Sequence, residues 1–180
     1  ITKFGVGKNM VSSMRHWCNV TNIIEKDRST DKDKSTGFAD DIFADDGLDP
    51  YLENPITLWI LHYSLATNPQ LLTYYWFFNI NNSLNLDRKT LQNEVAKYCA
   101  EQEKPIPSAT TLKRDVECFV RLYMYRSSQN NDDAVESPLT ELGLIVPIHK
   151  PGFFAGNRGA KPTLPSALFW SSVFHFWKAR

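Results

Sequence analysis

The feature that most constrains the fold is a pair of consecutive segments that are apolar around their whole helical circumference. They are PITLWILHYSLAT (55–67) and, after the break at Asn68-Pro69, QLLTYYWFFNINN (70–82). A helix that is hydrophobic all round belongs in the interior of a protein. Neither segment reaches the roughly 20 apolar residues that a membrane span needs. The two segments therefore predict the core of a helical protein, with His62 in the first of them.

Three amphipathic helices are predicted around this core. Apolar residues recur at helical spacing over about 8–19, 87–100 and 108–125. Asp87 and Ser108 are suited to cap the second and third of these helices. PSALFWSSVFHFWKA, near the end of the sequence, predicts a closing helix. On the first helix we expect the apolar side to face inward: Met10, Val11, Met14, Trp17 and Cys18.

Polar loops and a small β element complete the predicted architecture. Segments 25–53 and 127–138 are rich in charge and turn residues, and short apolar runs between Gly and Pro near the C-terminus suit a small hairpin. The predicted fold is mainly α, a winged-helix or helix-turn-helix-like helical domain with a small C-terminal β-hairpin. One composite domain is expected over 1–180, made of a first helix-turn-helix part (1–24), an acidic loop (25–53), a helical core (54–126) and the hairpin with the closing helix (127–180).

The stretch GVGKN (5–9) resembles a phosphate-binding turn but lacks the residues that such turns require. A P-loop needs four residues between its two glycines and a Ser or Thr after its lysine. Here only Val6 separates the glycines, and Asn9 follows the lysine. The dinucleotide fingerprint fails because Met10 occupies the position of the third glycine. A glycine-containing turn that leads into a helix remains, and this arrangement is typical of helix-turn-helix units that enter the DNA major groove.

Three groups of polar and basic residues are candidate DNA contacts, through base edges or phosphates. The bland alternative for each group is a solvated helix side or loop, and Glu117, beside the second group, favours that alternative there. The stretch FFAGNRGAKP predicts the tip of the hairpin, with basic and polar residues between its glycines. The candidates are Lys8, Asn9, Ser12, Ser13, Arg15 and His16 on the first helix, Lys113 and Arg114 on the third, and Asn157, Arg158 and Lys161 at the hairpin tip.

No catalytic constellation is recognisable, so neither an enzyme activity nor a cofactor is expected. The four histidines lie far apart and lack metal-ligand spacing. Five aspartates crowd ADDIFADDGLD, but their spacing does not match an EF-hand loop. A nuclease or other hydrolase that uses Asp40, Asp41, Asp45 and Asp46 is kept as an alternative. Three scattered cysteines indicate free thiols in a reducing compartment, hence a cytoplasmic protein.

Charge is unevenly distributed although the formal net charge is zero. Segment 25–53 holds ten acids and four bases, whereas 148–180 holds five bases and no acid. A neutral total is therefore compatible with a polyanionic partner, provided that basic stretches share a face.

Several blocks together resemble a known bacterial family, domain-of-unknown-function family 4007. These blocks are FGVGKNMVSSMRHWC, DPYLENPITLWILHYSLATNP, YYWFFN, SATTLKRDVECFVRLY, SPLTELGLI and LPSALFW, in this order. Proteins that look like this are typically encoded beside sulfurtransferases similar to phosphoadenosine phosphosulfate reductase and beside cysteine desulfurases. The family usually carries a segment upstream of GVGKN, which would supply the helix before the glycine turn.

The resemblance implies a role in DNA phosphorothioate modification and anti-phage defence, and it transfers no catalytic residue. We therefore expect a DNA-binding accessory or recognition protein whose partner is double-stranded DNA. Two alternatives stay open: a scaffold that docks the sulfur-transfer enzymes through its aromatic helices, and the hydrolase described above.

Overall fold

A computed structural model describes residues 5–124 and 136–178 of the chain. The chain divides into two compact units, Ile1–Leu65 and Ala66–Arg180, which are described separately below. The single composite domain inferred from the sequence stays a prediction. Most of the predicted loop over 127–138 lies outside the described residues.

The first unit begins with helix α1 (Lys8–Val20), at the position predicted for it. Gly5 adopts a left-handed conformation (φ +61°), and Gly7 precedes the first turn. The prediction that the apolar side of α1 is buried is wrong, since Met10 and Met14 are 57% and 53% exposed. No residue of α1 is buried, and Trp17 and Cys18 near its end are half-buried.

The predicted acidic loop contains regular structure. Strand β1 (Ile24–Lys26) pairs antiparallel with β2 (Asp33–Ser35), and helix α2 (Gly37–Phe43) follows. The turn between the strands forms because the Asp27 carboxylate accepts hydrogen bonds from the backbone N–H groups of residues 29 and 30 (2.7 and 3.3 Å). These short elements were missed because side-chain hydrogen bonds define them, and no apolar periodicity marks them.

Helix α3 (Pro55–Thr67) ends the first unit and crosses into the second. Asp49 is buried before it, and its carboxylate accepts hydrogen bonds from the backbone N–H groups of Glu53 (2.8 Å) and Asn54 (3.1 Å). A hydrogen bond with the Thr57 hydroxyl, followed by these two, lowers the pKa of Asp49. This aspartate is therefore a structural acceptor at the entrance of α3.

The second unit contains most of the helices and a three-stranded sheet. Asp87 accepts a hydrogen bond from the Thr90 N–H at 2.7 Å, and Ser108 accepts one from the Thr111 N–H at 3.1 Å, so both predicted caps are present. Its elements are α4 (Leu72–Asn79), β3 (Leu86–Asp87), α5 (Arg88–Glu101), α6 (Ala109–Tyr123), a 3-10 helix (Pro138–Leu142), β4 (Ile145–Pro147), β5 (Phe153–Gly156) and α7 (Ser166–Lys178).

The sheet has the order β3-β5-β4 with antiparallel pairing throughout. Its central strand is the run FFAG, so the prediction that this run forms the hairpin tip is wrong. The turn lies instead over residues 148–152, where Gly152 has φ +81°. Phe154 is fully buried on β5, because a strand between two neighbours turns its apolar side chains to the core.

The core of the second unit is an aromatic cluster, as the apolar segments predicted. Tyr74 and Phe77 of α4 lie 5.0 and 4.9 Å from the ring centroid of Phe119 on α6. Edge-to-face and tilted contacts of this kind stabilise a core beyond their buried area.

The aromatic residues proposed as a scaffold interface, such as Trp59 and Trp76, are buried instead.

The described structure is mixed α/β: helix forms about half of it, beside two small sheets. The winged-helix assignment stays a prediction. The three cysteines are free thiols. No described helix combines the length and the apolar character that crossing a membrane requires.

Candidate nucleic-acid interface

The outer face of α6 carries two exposed basic side chains, Lys113 and Arg114. The opposite face is fixed, since Leu112, Val116 and Phe119 are buried. Both cations are exposed, and among the described residues no ion pair involves either of them. Fixed backbone and free charge are what docking to a phosphate chain requires.

Two acids, Asp115 and Glu117, lie close to these cations in the sequence of α6. Asp115 is drawn toward α4, where the Thr73 hydroxyl donates to its carboxylate at 3.5 Å. Glu117 is half-buried, and its backbone carbonyl accepts from Arg121 at 3.3 Å. Lys113 and Arg114 are thus more exposed than the two acids near them.

The segment before α6 makes a compact turn. Residues 102–108 join α5 to α6, and Glu103 takes a left-handed conformation (φ +51°) directly after the α5 C-cap. The Ser108 cap leaves Thr110 and Thr111 exposed on the first turn of α6. Two consecutive helices, the second with exposed polar side chains at its start and a buried apolar face, follow the order of a helix-turn-helix.

The true tip of the hairpin carries His149 and Lys150, which were not among the predicted contacts. Both are exposed, and the Lys150 ammonium lies 3.9 Å from the ring centroid of Phe153. The Pro151-Gly152 pair, a common turn dipeptide, was the sequence signal that identifies this tip.

The three residues predicted at the tip lie instead after β5, where they stabilise a loop. Asn157 donates from its side chain to the Gly143 carbonyl at 2.9 Å and accepts from the Gly159 N–H at 2.9 Å. Lys161 donates to the carbonyls of residues 157 and 159, both at 2.8 Å. These bonds occupy Asn157 and much of the capacity of Lys161.

Arg158 is exposed and donates one hydrogen bond, to the Asn82 carbonyl at 3.1 Å. It borders a small open pocket whose wall includes Phe77 and Phe78. Its remaining N–H groups belong to an exposed guanidinium, so Arg158 keeps donors for an anion.

The first-unit candidates share the exposed polar side of α1. Exposed side chains at its start and along this side are those of Lys8, Asn9, Ser12, Ser13 and His16. Arg15 differs, because its guanidinium forms a two-pronged ion pair with Asp33 of β2 (2.5 and 2.8 Å). The hydrogen bond with Asp33 also raises the pKa of Arg15. Arg15 thus joins α1 to the hairpin.

The potential metal ligands of the described residues lie apart. Within 5–124 and 136–178, no three His, Cys, Asp or Glu residues are grouped so as to hold a metal ion. Asp40, Asp41, Asp45 and Asp46 are exposed on and after α2. Burial lowers the pKa of His62 to about 4, which keeps this histidine neutral near pH 7.

A comparison of the chain with protein families finds a match over residues 1–180, to the family described as "Protein of unknown function (DUF4007)". No curated protein matches the chain.

Two solved structures are similar to the chain. One, described as "SspB crystal structure", has 24% identity and a TM-score of 0.80, covering 93% of this chain and 52% of that one. The other, "Magnesium ion-bound SspB crystal structure", has 25% identity and a TM-score of 0.79, covering 91% and 52%. The chain therefore spans about half the length of the SspB chains that it matches.

Proposed function

The chain belongs to the DUF4007 family of proteins of unknown function, and we propose that it binds double-stranded DNA as an accessory or recognition component of a phosphorothioation-type modification system in anti-phage defence. The observation that carries the DNA-binding part is the α5–turn–α6 unit, whose second helix exposes Lys113 and Arg114, two cations that no described acid pairs with.

We assign α6 as the recognition helix of a winged-helix unit. The order of elements supports this assignment: β3, two helices, then the β4–β5 hairpin returning so that β5 pairs with β3. In such a unit the start of the second helix enters the major groove while the hairpin tip contacts the backbone. Thr110 and Thr111 would then face base edges, and Lys113 and Lys150 would contact phosphates.

Phosphate contacts supply most of the affinity in this proposal. Lys113, Arg114, Lys150 and Arg158 are its exposed cations in the second unit. The polar side of α1 supplies a second proposed set, headed by Lys8 and Asn9. Arg15, Asn157 and Lys161 hold these surfaces in shape, because their polar groups are bonded within the fold.

The phosphorothioation part rests on the family resemblance and on the likeness to SspB. Magnesium is bound in one of the SspB structures, but the described residues offer no group of three ligands for a metal. We therefore assign no magnesium-dependent step to this chain, and the hydrolase alternative receives no support from its acidic residues.

Fluorescence anisotropy with matched duplexes tests the proposal. The full chain is titrated against two DNA duplexes of about 20 base pairs, one with and one without a phosphorothioate link, across a salt series. We expect the Kd to rise steeply with salt, since each phosphate contact releases counterions. Tighter binding of the modified duplex would assign a recognition role, and equal binding an accessory one.

Substitutions test the two surfaces separately. Lys8→Ala and Asn9→Ala report on α1, while Lys150→Ala reports on the hairpin tip. Binding that does not change with salt, or no binding to either duplex, would refute the proposed function.

A further inference from the structure

Helix α7 (Ser166–Lys178) exposes an unusual amount of aromatic surface. None of its residues is buried. Trp177 is 77% exposed, Trp170 66% and Phe174 59%. Exposed apolar patches of this kind mark interaction surfaces.

The three aromatic side chains form one stripe along the helix. Trp170, Phe174 and Trp177 stand at positions i, i+4 and i+7, so they project from neighbouring turns of the same side. With a rise of about 1.5 Å per residue, they are offset along the axis by about 6 and 4.5 Å. Phe169 extends the stripe sideways, with its ring centroid 5.4 Å from that of Trp170. The result is a row of flat apolar rings open to solvent.

One cation lies against the stripe, within a sequence segment that is basic. Residues 148–180 contain five bases and no acid. The Lys178 ammonium lies 4.7 Å from the ring centroid of Phe174, at the edge of the stripe itself. An occupant has to match both flat aromatic rings and positive charge.

Single-stranded DNA meets both requirements. Its unpaired bases stack on exposed aromatic side chains, and its phosphates are attracted to nearby cations. A duplex has its bases stacked inside, and so it cannot use the row of rings. A second copy of the chain would bring two basic segments together, which like charges oppose.

We infer that α7 is a stacking platform for unpaired bases of single-stranded DNA, with Trp170, Phe174 and Trp177 as the stacking rings. This inference rests on the proposed DNA-binding function and adds a second, single-stranded ligand to it. The duplex lies on α6 and the hairpin tip, whereas the unpaired strand lies on α7.

The test compares three labelled probes by fluorescence anisotropy with the full chain: oligothymidylate, an abasic oligonucleotide of the same length, and the duplex. Stacking is worth about 5- to 150-fold in Kd per base. The variant Trp170→Ala/Trp177→Ala should therefore bind oligothymidylate about 25-fold more weakly or worse, with its duplex Kd unchanged. Trp170→Phe/Trp177→Phe should retain most of the affinity, and Tyr51→Ala, which removes an 85% exposed aromatic elsewhere, should have no effect.

The outcomes separate this inference from the proposed function. Equal binding of the abasic strand and oligothymidylate, or an unchanged Kd in the alanine variant, overturns the platform while duplex binding stands. If the unsubstituted chain does not bind the duplex, the proposed function is overturned. The platform stands in that case if oligothymidylate binding still depends on the two tryptophans. A tryptophan-dependent dimer in sedimentation, without oligothymidylate binding, overturns the platform in favour of a protein interface.

Discussion

Replacing Lys113 and Arg114 together is the most informative perturbation of the proposed duplex interface. Both side chains are exposed on α6, and the buried face of that helix does not involve them. The double variant Lys113→Ala/Arg114→Ala should therefore fold normally while it removes two proposed phosphate contacts. Alanine also favours helix slightly over both residues, so α6 is not weakened.

The expected loss follows from counterion release. Each phosphate contact contributes about 0.9 to the slope of log K against log salt, so the double variant should flatten the slope by about 1.8. At about 1 M salt the contribution of these contacts vanishes, so the variant and the unmodified chain should have equal Kd values. At about 0.1 M salt the Kd of the variant should be roughly 60-fold higher than that of the unmodified chain. The two lines should therefore converge at high salt.

A charge-matched control separates contact from net charge. Lys26→Ala/Lys34→Ala also removes two positive charges, but from side chains that are paired with Asp31 (3.1 Å) and Glu25 (3.3 Å) in the β1–β2 hairpin. Anisotropy titrations of a duplex at four or five salt concentrations give the slopes of both variants. Equal flattening in the two variants, or an unchanged slope in the α6 variant, would refute the reasoning.

Two further predictions concern stability. Burial lowers the pKa of His62 to about 4. As the pH falls below about 6.5, the unfolded chain therefore binds a proton at this histidine that the native chain does not bind. The free energy of unfolding should drop by about 2 kcal/mol between about pH 7.5 and pH 5. Urea titrations measure the drop, which should shrink in His62→Gln, and an equal drop in that variant would exclude His62 as its source. Gly47→Ala should cost about 1–3 kcal/mol, since a Cβ there would lie 2.6 Å from the Ile42 carbonyl oxygen; exposed Asp46→Ala is the control, and a stable Gly47→Ala protein would show that this backbone yields.

The sequence predicted the elements that burial dictates. The apolar circumference of 70–82 and the stripe of Leu112, Val116 and Phe119 located the core, and the capping residues Asp87 and Ser108 located two helix starts. The β1–β2 hairpin was missed because local hydrogen bonds of Asp27 define it. The hairpin tip was misplaced because FFAG, flanked by glycines, was taken for a turn, although its phenylalanines complete the core.

The candidate site was predictable by residue type and only partly by role. Sequence alone does not say whether a cation is free: Arg15, Lys113 and Lys161 were equivalent candidates until the fold showed Arg15 bound to Asp33 and Lys161 bound to loop carbonyls. Exposure of the apolar side of α1 was likewise hidden, since periodicity reveals which residues share a face and not whether that face has a partner.

The contrast between charges that are paired within the fold and charges that are exposed explains how a chain of zero net charge can present a basic surface. Part of the acidic charge of 25–53 is paired locally: Asp33 pairs with Arg15 from outside the segment, whereas Glu25 and Asp31 pair with bases of the segment itself. The Asp49 carboxylate accepts hydrogen bonds from the backbone N–H groups that lead into α3. In the second unit, the exposed cations of α6 and of the acid-free segment 148–180 have few such partners among the described residues. Positive charge therefore remains available where the fold also offers an exposed helix, a hairpin tip and a row of aromatic rings, and these are the surfaces on which we propose that DNA binds.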